Sequence, residues 1–179
     1  QIRIYLGIEQ DFYSPASTEG YDYVIGSVHY LHKDGEYLPV DASRAAQEQA
    51  VQQHYGGDWY AFTEDYFDTL TRVYEKNRCR VVGHFDLVTK FNEADALFST
   101  DHPRYRRAVL RALDTLSAAP VVFEINTGAI SRGYRTEPYP ARWILEELRR
   151  RGIKRILSSD CHSRENLLFG FEEYAPWLD

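Results

Sequence analysis

The chain contains no methionine, not even at position 1, and its only cysteines are Cys79 and Cys161. Two thiols build no disulfide framework, so the fold has to hold by its core alone. The missing initiator, together with a start in "QIRIYLGIEQ" that reads as already inside a strand, points to further sequence upstream of Gln1. No apolar run approaches the roughly 20 residues that cross a bilayer, and no leader-like segment opens the chain, which makes the cytoplasm the default location. Positive charge is in deficit: 21 Lys and Arg face 27 Asp and Glu, a net −6. That balance argues against general nucleic-acid or anionic-membrane binding, and a small anionic substrate would need a local basic patch. Internal repeats and low-complexity linkers are also absent. With 179 residues, 44% of them hydrophobic, the chain fills one core, and residues 1–179 are expected to form a single domain.

What is present is an alternation of short apolar runs with amphipathic stretches. "IRIYLGIEQD" is strand-like and ends in acid, and "YDYVIGSVHY" is rich in β-branched and aromatic residues. A polar turn, "LHKDGEY", leads to a helix expected from about Ser43 to Gly56-Gly57. Asp58 fits the N-cap of a longer helix whose Phe62, Tyr66, Leu70 and Tyr74 recur every fourth residue along one face. "RVVGHFD" is the next strand. A helix follows in "HPRYRRAVLRALDTL" with Val109, Leu113 and Leu116 inward, then the strand "PVVFEINTG", the helix "ARWILEELRRRG" stopped by Gly152, and "IKRILSSD". Strands that are apolar on both faces and separated by helices indicate an α/β fold with a parallel sheet wrapped by helices.

The polar residues gather at one end of this scaffold. Glu9, His29, His84, Asn126, Asp160 and His162 each fall at or just after the carboxyl end of an expected strand. In a closed parallel barrel such ends form one rim, where active sites assemble. In "ILSSDCHS", extended backbone would turn Asp160 and His162 to one side and Cys161 to the other. Each residue alone has an ordinary explanation: His84 or His29 as a hydrogen-bonded core imidazole, Glu9 as a solvated acid, Asp160 as a helix cap near Ser163. Carboxylates and imidazoles converging from separate strands, however, are what zinc, manganese or iron binds. Cys161 faces away and reads as structural, while His32, His54 and His102 read as surface residues.

The strings "GIEQD", "DYVIGSVHY", "GHFDLVTKF", "EINTGAISRGYRTEPYP" and "ILSSDCHS", in that order, resemble the polymerase and histidinol phosphatase family, specifically its histidinol-phosphatase branch. The resemblance runs from Gly7 almost to the C-terminus. It implies a distorted TIM-like (β/α)7 barrel, here lacking its N-terminal β/α units, with a trinuclear cluster of divalent transition metals at the rim. Carried over by motif, Glu9 resembles a carboxylate bridging two metals, and His29 and His84 the histidines completing the second of these. Asp160 resembles a ligand of the first metal and His162 a ligand of the third. The family's opening His-x-His strand has no counterpart here, which again points upstream of Gln1.

The implied activity is hydrolysis of a phosphoric monoester, L-histidinol phosphate, in histidine biosynthesis. "ISRGYR" puts Arg132 and Arg135 beyond the strand end of "FEIN", and the arginine fork suits phosphate oxygens; pairing with acids such as Glu137 is the ordinary alternative. Asn126 and Ser131 are candidates to orient the ester. Bridging metals would supply hydroxide near neutral pH and neutralise the phosphoryl oxygens, with Asp160 or His162 available as proton donor. Rival expectations are a related phosphoesterase acting on phosphotyrosine or nucleotide phosphodiesters, and a catalytically silent barrel used as a binding or regulatory module.

Overall fold

A computed structural model describes residues 2–178. Along the chain run β1 (Gly7–Asp11), β2 (Tyr23–Ser27), β3 (Tyr30–Lys33), β4 (Glu36–Pro39), α1 (Arg44–His54), α2 (Trp59–Leu70), α3 (Val73–Asn77) and β5 (Val81–Val82). They are followed by α4 (Pro103–Ser117), β6 (Val122–Asn126), α5 (Gly128–Ser131), α6 (Arg142–Arg150), β7 (Arg155–Ser158) and α7 (Phe171–Tyr174). Five strands form one sheet in the order β1-β2-β5-β6-β7, every neighbouring pair parallel. Sheet order thus follows chain order, as β/α units with like-handed crossovers require. Among the described residues the sheet is open, with β1 and β7 as its edges, a parallel α/β arrangement compatible with a distorted barrel that lacks its N-terminal β/α units.

The helix starts follow local chemistry. Ser43 caps α1 by accepting from Ala46 N–H at 3.1 Å, and Asp58 caps α2 by accepting from Tyr60 and Ala61 N–H at 2.9 and 3.1 Å. Phe62, Tyr66 and Leu70 are fully buried as their spacing requires, but the face does not continue unbroken to Tyr74: the chain interrupts at Thr71-Arg72 and Tyr74 belongs to α3. Val109, Leu113 and Leu116 of α4 are buried in the same core as Phe123 and Ile125 of β6.

The strands alternate between two environments. Val24, Phe123 and Ile125 face the helices, while Tyr23, Ile25, Val81, Val122 and Ile156 line an open apolar groove on the opposite face with Leu167, Leu168 and Phe171. Two expectations change here. Strand β1 begins only at Gly7, with Ile2 and Ile4 about nine-tenths exposed (92% and 90%). The stretch "LHKDGEY" is an antiparallel β3/β4 hairpin, not a plain turn, closed by Asp34 and Gly35 at φ 53° and 85°, the doubly left-handed pair such hairpins demand. No described helix is long and apolar enough to cross a membrane.

Candidate metal centre

Glu9 and Asp11 stand on one face of β1, two residues apart. His29 lies in the two-residue link between β2 and β3, where the returning hairpin clamps it through Val40 N–H to the His29 carbonyl, 2.8 Å. His84 follows β5 through Gly83, whose lack of a Cβ matters: one built there would sit 2.5 Å from Ser27 Oγ and 2.8 Å from Ile25 Cγ2. The His84 main-chain N–H is fixed by Glu124 Oε2 at 2.7 Å.

These elements bring two imidazoles onto one carboxylate oxygen. Glu9 Oε1 lies 2.9 Å from His84 Nε2 and 3.4 Å from His29 Nε2. Ligand atoms of Glu9, His29 and His84 all fall within 4.8 Å of one another, and the two rings meet edge to face, centroids 4.9 Å apart. Burial opposes ionisation of Glu9, but the His84 hydrogen bond and the charges of His84 and His29 outweigh it and hold the carboxyl down at about 2. Burial likewise disfavours a charged His84, and Glu9 reverses that, raising the imidazole to about 9. Two imidazole nitrogens and a carboxylate facing one point are a donor set that fits a borderline divalent metal.

The same three residues line a cavity of about 300 Å³ with Asp41, Lys90, Arg132, Tyr134, Tyr139, Asp160 and His162 among its walls. Asp160 and His162 therefore share the space with the Glu9 group, by a route other than strand alternation. Strand β7 ends at Ser158, and Asp160 takes a left-handed φ of 42°. The loop is tied by Arg132, which donates from Nη1 to the Asp160 carbonyl (2.7 Å) and from Nη2 to Asp160 Oδ2 (3.1 Å), with Nη1 also 2.8 Å from His162 Nδ1. Asp160 caps no helix, since Ser163 occupies the position before the next turn.

Three expected substrate contacts point elsewhere. Arg135 is buried (7% exposed) beside a second cavity of about 280 Å³, donating to Thr89 Oγ1 and to Glu137 Oε1, the latter at 2.9 Å. Gly133 at φ 74° reverses the chain after α5, so Arg132 and Arg135 diverge, and the pairing with Glu137 is the one that forms. Asn126 is committed to the fold, donating to Glu124 Oε2 (3.0 Å) and accepting from Gly128 N–H (2.8 Å). Ser131 Oγ donates to the Gly128 carbonyl at 2.9 Å.

Asp11, Asp41, Lys90 and Tyr139 join the site without having been expected there. The two-residue spacing of Glu9 and Asp11 on one strand face is the available signal for Asp11. The other three sit on loops whose path no periodicity encodes.

A family model described as "PHP domain" matches residues 1–128. Proteins named "Probable histidinol-phosphatase" from Schizosaccharomyces pombe and Deinococcus radiodurans are each 28% identical, over 100% and 97% of this chain and 60% and 63% of their own length. The Bacillus subtilis protein named "Histidinol-phosphatase" is 24% identical over 97% of this chain and 69% of its own. The chain thus spans about three fifths of the first two relatives. A crystal structure from Listeria monocytogenes with a provisional histidinol phosphatase name (hisK) superposes with a TM-score of 0.74 over 86% of this chain and 58% of that one, at 20% identity, so the α/β fold is shared. From its matched family model and from the carboxylate and histidines at its strand ends, the chain belongs to the PHP domain family.

Proposed function

We propose that this chain forms part of a metal-dependent phosphomonoesterase that hydrolyses L-histidinol phosphate to L-histidinol and phosphate. The observation that carries the reading is the convergence of the His29 and His84 Nε2 atoms on Glu9 Oε1, inside a cavity that Arg132 also lines. Glu9, His29 and His84 would hold one divalent metal, zinc, manganese or iron by donor type. The family resemblance extends the set, with Glu9 shared with a second metal served by Asp160, and His162 serving a third. A metal bound there supplies Lewis-acid neutralisation of phosphoryl charge and a water that ionises near neutral pH.

The chain's own residues then have separable roles. Arg132 and Lys90 give the cavity two cations, set against the carboxylates of Glu9, Asp41 and Asp160, so that a phosphate dianion would need the charge of bound metal beside the two side chains. Arg132 approaches from the Asp160–His162 side and Lys90 from the Asp41 side, where its Nζ donates to the Asp41 carbonyl at 2.8 Å. Tyr139, nearly fully buried, lines the cavity beside His84, ring centroids 6.3 Å apart. Asp160 and His162 remain the candidates for moving a proton to the departing alkoxide.

One observation favours a second reading, a binding module without turnover. The Arg132 guanidinium is already engaged by Asp160 and His162, as a purely structural strap would be. Elemental analysis of the full chain, paired with phosphate release from histidinol phosphate before and after chelation, separates the two. Transition metal in the chain with chelator-sensitive release is expected. A metal-loaded chain that ignores every phosphoester overturns the phosphatase reading.

A further inference from the structure

The two histidines facing Glu9 are held in different ways. His84 is enclosed by its surroundings: its Nδ1 is buried with no hydrogen-bond partner, and its ring packs against His29 and Tyr139. His29 is one quarter exposed (side chain 26%) and lacks such enclosure, but a carboxylate stands beside it. Asp11 Oδ2 accepts the His29 main-chain N–H at 2.7 Å and lies 3.5 Å from the ring Nδ1. On the opposite side of the same ring, Nε2 is 3.4 Å from Glu9 Oε1.

His29 has a carboxylate beside each nitrogen, and once a metal takes the Nε2 lone pair that faces Glu9 and His84, the proton belongs on Nδ1, where Asp11 is the acceptor. Carboxylates placed in this way behind metal-binding histidines fix both tautomer and ring orientation. We infer that Asp11 is a positioning residue of the metal centre, holding His29 in its Nδ1–H form with Nε2 directed at the site that Glu9 and His84 share. The inference rests on reading that cavity as a metal centre. Asp11 also serves the fold in an ordinary way, because its Oδ1 accepts from Tyr13 N–H at 2.8 Å and closes a turn at the end of β1. The two oxygens divide the work, one on the turn and one on His29.

Asp11→Asn separates these two roles. The amide keeps an acceptor for Tyr13 N–H but turns an NH2 toward His29, whose main-chain N–H loses its acceptor and whose ring is biased to the Nε2–H tautomer that cannot ligate through Nε2. Asp11→Ser keeps a short acceptor for the turn without reaching the imidazole, and guards against a variant that fails to fold. Zinc affinity, measured by chelator competition on the full chain, is expected to fall about 10- to 100-fold in both variants, and metal-free Tm is expected to fall modestly and alike in both, because each loses the acceptor of the His29 main-chain N–H. In the unmodified, 15N-histidine-labelled chain with zinc, His29 is expected to show a protonated Nδ1 and a ligated Nε2, the signal assigned by its loss in His29→Gln. Ligation through Nδ1, or unmodified zinc affinity in both variants, would overturn the role of Asp11 and leave the metal centre standing. A wild-type chain that takes up no zinc overturns the metal reading and this inference with it.

Discussion

Gly128 offers a way to disturb the site without touching any polar group in it. It opens α5, and a Cβ built there would lie 3.0 Å from each of Arg132 Nη1, Asp160 Cβ and Asp160 Oδ2. That is about half an ångström short of ordinary contact. Neither neighbour can yield alone, because the guanidinium is bonded to the Asp160 carbonyl and carboxylate and stands 2.8 Å from His162 Nδ1. Gly128→Ala should therefore shift the Arg132–Asp160–His162 group together. A displacement near 1 Å costs about 100-fold in rate, so half of that corresponds to about tenfold in kcat/KM, or ~1.4 kcal/mol. Stability should not follow, since replacing a helical glycine by alanine returns about 0.5 kcal/mol, enough to offset a tight contact and keep Tm within about 2 °C. Phosphate release from histidinol phosphate and a thermal melt measure the two quantities, and Arg132→Ala supplies a second background. With the guanidinium gone, the added methyl meets fewer atoms and should cost about threefold or less. A full tenfold loss in both backgrounds, or a fall in Tm that parallels the loss of rate, would refute the steric argument.

Two further perturbations test the scaffold. Glu147 on α6 joins Arg150 and Arg151 at 2.6 to 3.0 Å, and these hydrogen bonds hold its carboxyl down at about 2 against an ordinary 4.5. A depressed carboxyl contributes stability above its unfolded pKa and loses it as pH falls through the folded one. Glu147→Gln should accordingly lower Tm by about 2 °C at pH 7, discounted for the exposed Arg150, with the difference shrinking between about pH 4.5 and pH 2; a pH-independent difference by calorimetry would contradict the charge explanation. Gly26 sits in β2 against α3, where a Cβ would meet Cys79 Sγ at 2.7 Å, Val73 Cγ2 at 2.8 Å and Cys79 Cβ at 2.9 Å. Gly26→Ala should cost about 1–3 kcal/mol in urea unfolding through overpacking, and Cys79→Ala should recover part of it.

Much of the scaffold is legible in the sequence because its determinants are local. Ser43 and Asp58 are helix caps by their own side chains, and the buried faces of α2 and α4 follow the 3.6-residue repeat. What escapes depends on partners or on single dihedrals. Residues 2–6 alternate like a strand, but a strand also needs a neighbour to pair with, and Ile2 and Ile4 stay exposed. The hairpin after His29 is hidden by polar residues, although Asp34-Gly35 between alternating side chains is its signature. Proximity in sequence groups Arg135 with Arg132, and the left-handed Gly133 between them sends the two guanidinia to different cavities.

The candidate site shows the same division, and sheet order explains it. Neighbouring strands lie about 4.8 Å apart, so ligands from the ends of three consecutive strands can meet without any special loop. Strands β1, β2 and β5 are consecutive, and the ligand atoms of Glu9, His29 and His84 fall within 4.8 Å of one another. Locating strand ends in the sequence is enough to assemble that trio. Asp160 and His162 follow β7, two positions beyond β5, where a flat sheet would leave them roughly 10 Å further off. Their presence in the same cavity depends on the turn at Asp160 and on the fork of Arg132, features of one dihedral and one long side chain. The trio is therefore a property of the sheet, while the Asp160–His162 arm is a property of its loop, and it is the arm that Gly128→Ala should move.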